Sequence, residues 1–131
     1  MARVTGVNHI TLAVSDLDRS VAFYRDRLGG RLAAHWPKGA YLELGTLWLC
    51  LDLHETVGAR ADATHLAFTA DDFGALAAAL DDLPRWKENV SEGASLYLLD
   101  PDGHKLEIHD GDLASRLAHY RAHPEKGVTL F

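Results

Sequence analysis

Val7-Asn8-His9-Ile10-Thr11-Leu12 and Ala63-Thr64-His65-Leu66-Ala67-Phe68 each open an alternating apolar run with a histidine. Alternation of period two marks a half-buried strand, and the spacing that follows each run, near 3.6, marks an amphipathic helix. Further strand-like runs come after each helix, so the order β-α-β-β-β occurs twice. The chain therefore reads as one unit written twice, with an imidazole at the same place in each copy.

In the first copy, a strand over residues 5–14 puts His9, Thr11 and Ala13 on one face and Ile10, Leu12 and Val14 on the other. Ser15 or Asp16 is placed to cap a helix striped by Leu17, Val21, Tyr24 and Leu28, which Gly29-Gly30 stops. Strands are expected at 31–35, 40–44 and 47–53. The small and polar run 56–62 reads as the linker between copies. In the second copy, a strand at 64–69 precedes a helix capped by Asp71 or Asp72 and striped by Phe73, Leu76, Leu80 and Leu83. Strands at 85–88, 95–99 and 104–109 follow, the last two joined by Asp100-Pro101-Asp102-Gly103, which has the residues of a tight turn. A final helix over 112–123 carries Leu113, Leu117 and Tyr120 on one side. The expected fold is α+β: two tandem βαβββ modules, about 5–55 and 63–110, plus a C-terminal helix, in one domain spanning 1–131.

The chain has 131 residues, enough for one real core, whereas halves of roughly 50 residues would each be marginal alone. Thirteen cationic against nineteen acidic residues leave a net charge of −6, which excludes a global basic field recruiting nucleic acid or anionic membrane. An anionic substrate would need a local cluster of cations. The single cysteine, Cys50, excludes an internal disulfide framework and fits a reducing compartment. With no apolar signal core and no 18-residue apolar run, a cytoplasmic location is expected.

Aligning the copies by their final strands sets Leu47-Trp48-Leu49-Cys50-Leu51 over His104-Lys105-Leu106-Glu107-Ile108, so that Glu107 falls opposite Cys50. His9, His65 and Glu107 together suit a divalent metal that keeps open positions. A carboxylate in an apolar strand is costly unless paired or metal-bound; its plain reading points Glu107 to solvent between Lys105 and His109. Cys50 reads as a small buried apolar side chain rather than a ligand. His35, His54, His104, His109, His119 and His123 have no counterpart across the repeat and read as surface residues or as supports behind the ligands. Residues 87–97 form a long polar loop in which backbone carbonyls, Glu92, Ser91 and Ser95 can cage a monovalent cation; an ordinary surface loop is the equal alternative. Arg116, four residues after Asp112, reads as half of a surface helix pair.

Several passages are more selective: Asn8-His9-Ile10-Thr11-Leu12-Ala13-Val14, Ser20-Val21-Ala22-Phe23-Tyr24-Arg25, Gly39-Ala40-Tyr41-Leu42-Glu43-Leu44-Gly45, Leu47-Trp48-Leu49-Cys50-Leu51, Trp86-Lys87, Ser91-Glu92-Gly93, Asp100 through Glu107, and Ser115-Arg116-Leu117. In these the chain resembles, nearly end to end, the FosA-type fosfomycin-resistance glutathione transferases of the vicinal-oxygen-chelate superfamily. The resemblance implies transfer of glutathione to the epoxide of fosfomycin by a homodimer whose chains exchange modules. It implies Mn²⁺ held by His9 of one subunit with His65 and Glu107 of the other, and K⁺ held by Asn89, Ser91, Glu92, Gly93 and Ser95. It places Lys87, Ser91, Tyr97 and Arg116 on the phosphonate, Thr11 near the reacting centre, Trp48 beside the active site, and Tyr41 with the incoming thiol.

Other readings stay open at this point. A hydrolytic sister branch requires a carboxylate base near Pro37-Lys38-Gly39, where there is none. Another sister branch uses bacillithiol or cysteine and has no potassium loop. An Fe²⁺ extradiol dioxygenase also uses two histidines and a glutamate, and a metal-free drug-sequestering protein would use the same fold.

Overall fold

In a computed structural model that describes residues 1–58, 60–89 and 92–131, the repeated pattern becomes two four-stranded mixed sheets. The elements are β1 (His9–Val14), α1 (Leu17–Ala22), β2 (Arg31–Trp36), β3 (Gly39–Leu44), β4 (Leu47–Leu53), β5 (Leu66–Phe68), α2 (Phe73–Ala79), β6 (Arg85–Lys87), β7 (Ala94–Leu99), β8 (Lys105–Asp110) and α3 (Leu113–Ala122). One sheet is ordered β1-β4-β3-β2 and the other β5-β8-β7-β6, with the first and last strands of each copy parallel and the rest antiparallel. The α+β class and the β-α-β-β-β order are those expected from the alternation.

The first unit comprises Met1–Arg60 together with Asp100–His104. Its core is one sheet face (Val14, Ala40, Leu42, Leu49 and Leu51) packed on Leu17, Val21, Phe23 and Tyr24. Asp16 caps α1 by accepting from the Arg19 amide. The stripe from Leu17 to Leu28 predicts one continuous helix, but after Ala22 the chain widens into a π-turn, Phe23–Arg27. The wider turn lets two consecutive residues, Phe23 and Tyr24, face inward, their rings edge to face at 5.0 Å. Gly29, at φ 79, then ends the turn in a conformation that suits glycine.

The turn after β7 has a second use that its sequence did not disclose. Asp100 is buried and its carboxylate accepts from Tyr24 Oη at 2.6 Å and from the amides of Asp102 and His104. Asp102 accepts from the Ser15 amide and hydroxyl, Ser20 Oγ and Arg19 Nη2, and His104 Nε2–H donates to Ala13 O at 2.7 Å. Burial, then the charge of Asp100, push the Tyr24 phenol well above its usual 10.0. Tyr24→Phe leaves the buried Asp100 carboxylate short of one donor, which costs about 1–3 kcal/mol. Thermal unfolding should show that loss in full at neutral pH. Because the folded state holds the proton more tightly, the difference from wild type should shrink as pH rises past about 10.

The second unit, Ala61–Leu99 with Lys105–Phe131, has a smaller core of Leu80, Leu96, Leu98, Leu106 and Ile108. Asp72 caps α2, and Asp112 with Ser115 forms a reciprocal capping box at the start of α3. β5 is shorter than expected, so His65 stands just before it, whereas His9 opens β1.

Candidate metal centre

Strand register places the two copies position by position. Across the first sheet, Thr11 pairs with Cys50, Cys50 with Tyr41, and Tyr41 with Ala34. Across the second, Ala67 pairs with Glu107, Glu107 with Tyr97, and Tyr97 with Lys87. Glu107 therefore occupies the position of Cys50, as the sequence alignment of the copies expects. Tyr41 and Tyr97 are also equivalent, a correspondence the sequence reading did not make.

In the first unit the face away from the core is aromatic and exposed. His9 lies 4.6 Å from the Trp48 ring, Tyr41 meets Trp48 edge-on at 5.2 Å, and Trp36 meets Tyr41 edge-on at 4.8 Å. Thr11 is exposed on the same face, whereas Cys50 is buried and free. Gly39 is needed here: a Cβ would lie 2.5 Å from the Trp36 indole and 2.9 Å from Leu51 O. Trp36 thus folds back over its own hairpin to support Tyr41, which no spacing in the sequence announced.

In the second unit Glu107 is 8% exposed, so the solvent-facing reading of this carboxylate is overturned. His65 Nε2 lies 2.9 Å from Glu107 Oε1, Ser95 Oγ–H donates to Glu107 Oε2 at 2.7 Å, and His109 Nδ1–H donates to Ser95 Oγ at 2.6 Å. Since the single Ser95 proton goes to Glu107, the His109 proton must lie on Nδ1. Burial pushes the Glu107 carboxyl up, but the hydrogen bonds from Ser95 and His65, with the charges of His65 and His109, outweigh it. The net effect holds Glu107 below the usual carboxylate range. His109, grouped among the histidines without a counterpart, is a support behind Glu107.

The two candidate histidine ligands share a tautomer. Nδ1–H of His9 donates to Asn8 Oδ1 at 2.7 Å and Nδ1–H of His65 to Ala63 O at 2.7 Å, which turns Nε2 outward in both. For His65 this sets Nε2 against the carboxylate oxygen of Glu107. Two acceptors at 2.9 Å need a positive charge between them, either a proton or a metal ion. The donor set fits a borderline divalent cation. Among the described residues of one chain, no group of three His, Cys, Asp or Glu side chains is placed to hold a metal ion. His65 and Glu107 form a pair, and His9 belongs to the other unit.

Around that pair, the Trp86 ring lies 5.2 Å from His65, with Trp86 Nε1–H donating to Leu106 O, and Tyr97 is buried beside both. Lys87 Nζ stands 5.1 Å over the Tyr97 ring. Arg116 does not pair with Asp112 as helix spacing suggested, because Asp112 is committed to the cap. Arg116 Nε instead donates to Glu92 Oε2 at 2.9 Å and Nη2 to Glu92 O, and the Glu92 hydrogen bond raises the guanidinium pKa further. Asn89 Nδ2 donates to Gly93 O, and Gly93 sits at φ 78 where a Cβ would meet Asp110 O and His109 Cε1 at 2.9 Å. Of the expected cage residues, Glu92 contacts Arg116, Ser95 contacts Glu107 and Asn89 contacts Gly93, while Ser91 lies outside the described residues.

Two βαβββ units, each with one four-stranded mixed sheet, define the class of fold. The family model of the Glyoxalase/Bleomycin resistance protein/Dioxygenase superfamily matches residues 6–108, and the chain belongs to that superfamily. More narrowly, the chain is 50% identical over 132 aligned residues to the glutathione transferase FosA of Serratia marcescens, covering 95% of this chain and 94% of that protein. It is 40% identical to the metallothiol transferase FosB of Shouchella clausii, over 89% of this chain and 88% of that one. Among solved structures, the fosfomycin resistance protein FosX of Listeria monocytogenes matches with a TM-score of 0.77 at 26% identity, over 90% of this chain and all of that chain. A FosX crystal complexed with Mn(II) and sulfate matches with a TM-score of 0.74 at 28% identity, over 90% of this chain and 99% of that one.

Proposed function

We propose that this chain is a glutathione transferase that inactivates fosfomycin by opening its epoxide. The observation that carries the reading is Glu107: a buried, ionised carboxylate facing Nε2 of His65, in a chain half identical to FosA. In this reading His65 and Glu107 of one chain and His9 of a second chain hold Mn²⁺ in a homodimer. The bound metal supplies Lewis acidity toward the epoxide oxygen, on which charge builds as the ring opens.

The remaining work falls to the protein. Lys87, positioned over Tyr97, neutralises the phosphonate together with Ser91, Tyr97 and Arg116. A guanidinium has five N–H donors, so Arg116 keeps donors for an anion beyond those spent on Glu92. K⁺ in the loop of Asn89, Ser91, Glu92, Gly93 and Ser95 adds positive charge on the same side. Thr11 hydrogen-bonds the substrate near the reacting carbon, and Trp48 with Tyr41 forms an aromatic wall against which the glutathione thiol is oriented. The nucleophile is external, because Cys50 is buried and opposite no activating base. Among the described residues no helix is long and apolar enough to cross a membrane.

Phosphorus NMR of fosfomycin incubated with the Mn²⁺-loaded protein and glutathione, cysteine or water as competing nucleophiles tests the assignment. The glutathione adduct is expected to dominate; a diol as the sole product would overturn it. Lys87→Ala should raise KM for fosfomycin by an amount equivalent to about 1.5–3 kcal/mol, a charge-assisted hydrogen bond, with a smaller change in kcat. Steady-state kinetics equal to wild type would remove Lys87 from the phosphonate.

A further inference from the structure

Two histidines in the second unit take no part in the chemistry above. We propose that the C-terminal end of α3 carries a second metal-binding site, for a late divalent transition-metal ion such as Cu²⁺ or Ni²⁺, with His119 and His123 as its two protein ligands. The imidazole rings stand with centroids 4.4 Å apart at 39°, and their i, i+4 spacing puts both on one face of the helix end.

The hydrogen bond behind His123 is that of a metal ligand. Nδ1–H of His123 donates to Glu125 Oε1 at 2.9 Å, which leaves the Nε2 lone pair for a metal. A carboxylate behind the imidazole is the usual partner of a metal-ligating histidine, fixing its tautomer and raising its basicity. Nε2 of His119 accepts from Lys126 Nζ at 3.0 Å, so an incoming metal ion takes the place of that ammonium on the lone pair. The short 3₁₀ turn Pro124–Lys126, ended by Gly127 at φ 71, folds the ammonium back over the helix end. His119 lies in the last turn of α3 and His123 caps it, where the carbonyl end of the helix favours positive charge.

The donors also set the metal class. Two neutral imidazoles with water completing the coordination follow the order that peaks at Cu²⁺, whereas Mn²⁺ is at its weak end. The His65–Glu107 pair, with its carboxylate, is the harder of the two sites. The side chain of His123 is 45% exposed, so an ion can enter from solvent.

The test uses the full chain, first loaded with Mn²⁺ and then titrated with Cu²⁺ by calorimetry and electron paramagnetic resonance. Wild type should take up one Cu²⁺, with nitrogen superhyperfine splitting, beyond any that releases Mn²⁺ into solution. His119→Ala and His123→Ala should each weaken that uptake at least tenfold and leave Mn²⁺-supported activity unchanged. The proposal is overturned if either variant binds Cu²⁺ as wild type does, or if Cu²⁺ uptake in wild type is matched by release of Mn²⁺.

Discussion

Glu107→Ala is expected to lower metal-supported turnover at least a hundredfold and to weaken Mn²⁺ binding with it. A ligand to a Lewis-acidic ion commands several kcal/mol of barrier, and each ~1.4 kcal/mol is tenfold in rate. Glu107→Gln separates charge from shape: the amide fills the same volume and still accepts from Ser95 Oγ, but cannot neutralise a dication. Both variants should therefore lose activity together, measured as adduct formation with and without added Mn²⁺. Activity in Glu107→Gln near that of wild type would mean that the carboxylate organises the sheet rather than holding a metal. A smaller loss is expected from His109→Ala, which removes the donor behind Ser95 and leaves all three proposed ligands in place.

A pair of inactive variants should restore one another. If His9 of one chain completes the site of His65 and Glu107 on its partner, a mixed dimer of His9→Ala and Glu107→Ala contains one site with neither defect and one with both. Random reassociation then gives about a quarter of wild-type activity, because half of the dimers are mixed and each has one intact site. If each site were built within one chain, every site would be defective and mixing would recover nothing. Co-expression of the two variants, followed by separation of the mixed dimer and its assay, gives a positive signal from two silent parents. That outcome cannot come from a general gain in stability.

How far the sequence reached depended on the length scale of the physics involved. The duplicated β-α-β-β-β order was legible because period-two alternation is local, and Leu47–Leu53 was found at its observed bounds. Aligning the copies by their last strands foresaw that Glu107 and Cys50 are equivalent, since register depends only on counting along paired strands. What failed depended on distant partners. Helix spacing pairs Arg116 with Asp112, but its partner in the fold is Glu92, 24 residues away. The continuous helix drawn through Leu28 missed the π-turn, whose reason is the burial of Tyr24 against Asp100, 76 residues on. The support of Tyr41 by Trp36 depends on the bare Cα of Gly39, and no propensity scale records that.

The loan of Asp100–His104 to the first unit has a consequence for how the two copies came to depend on each other. A polypeptide stopped at Arg60 would contain every strand and helix of the first repeat. It would still lack the acceptor for Tyr24, the acceptor for the Ser15 amide, and the donor that meets Ala13 O. Truncation there should leave these groups unpaired and destabilise the half, so split-protein or permuted versions of this chain should keep Asp100–His104 with the first repeat.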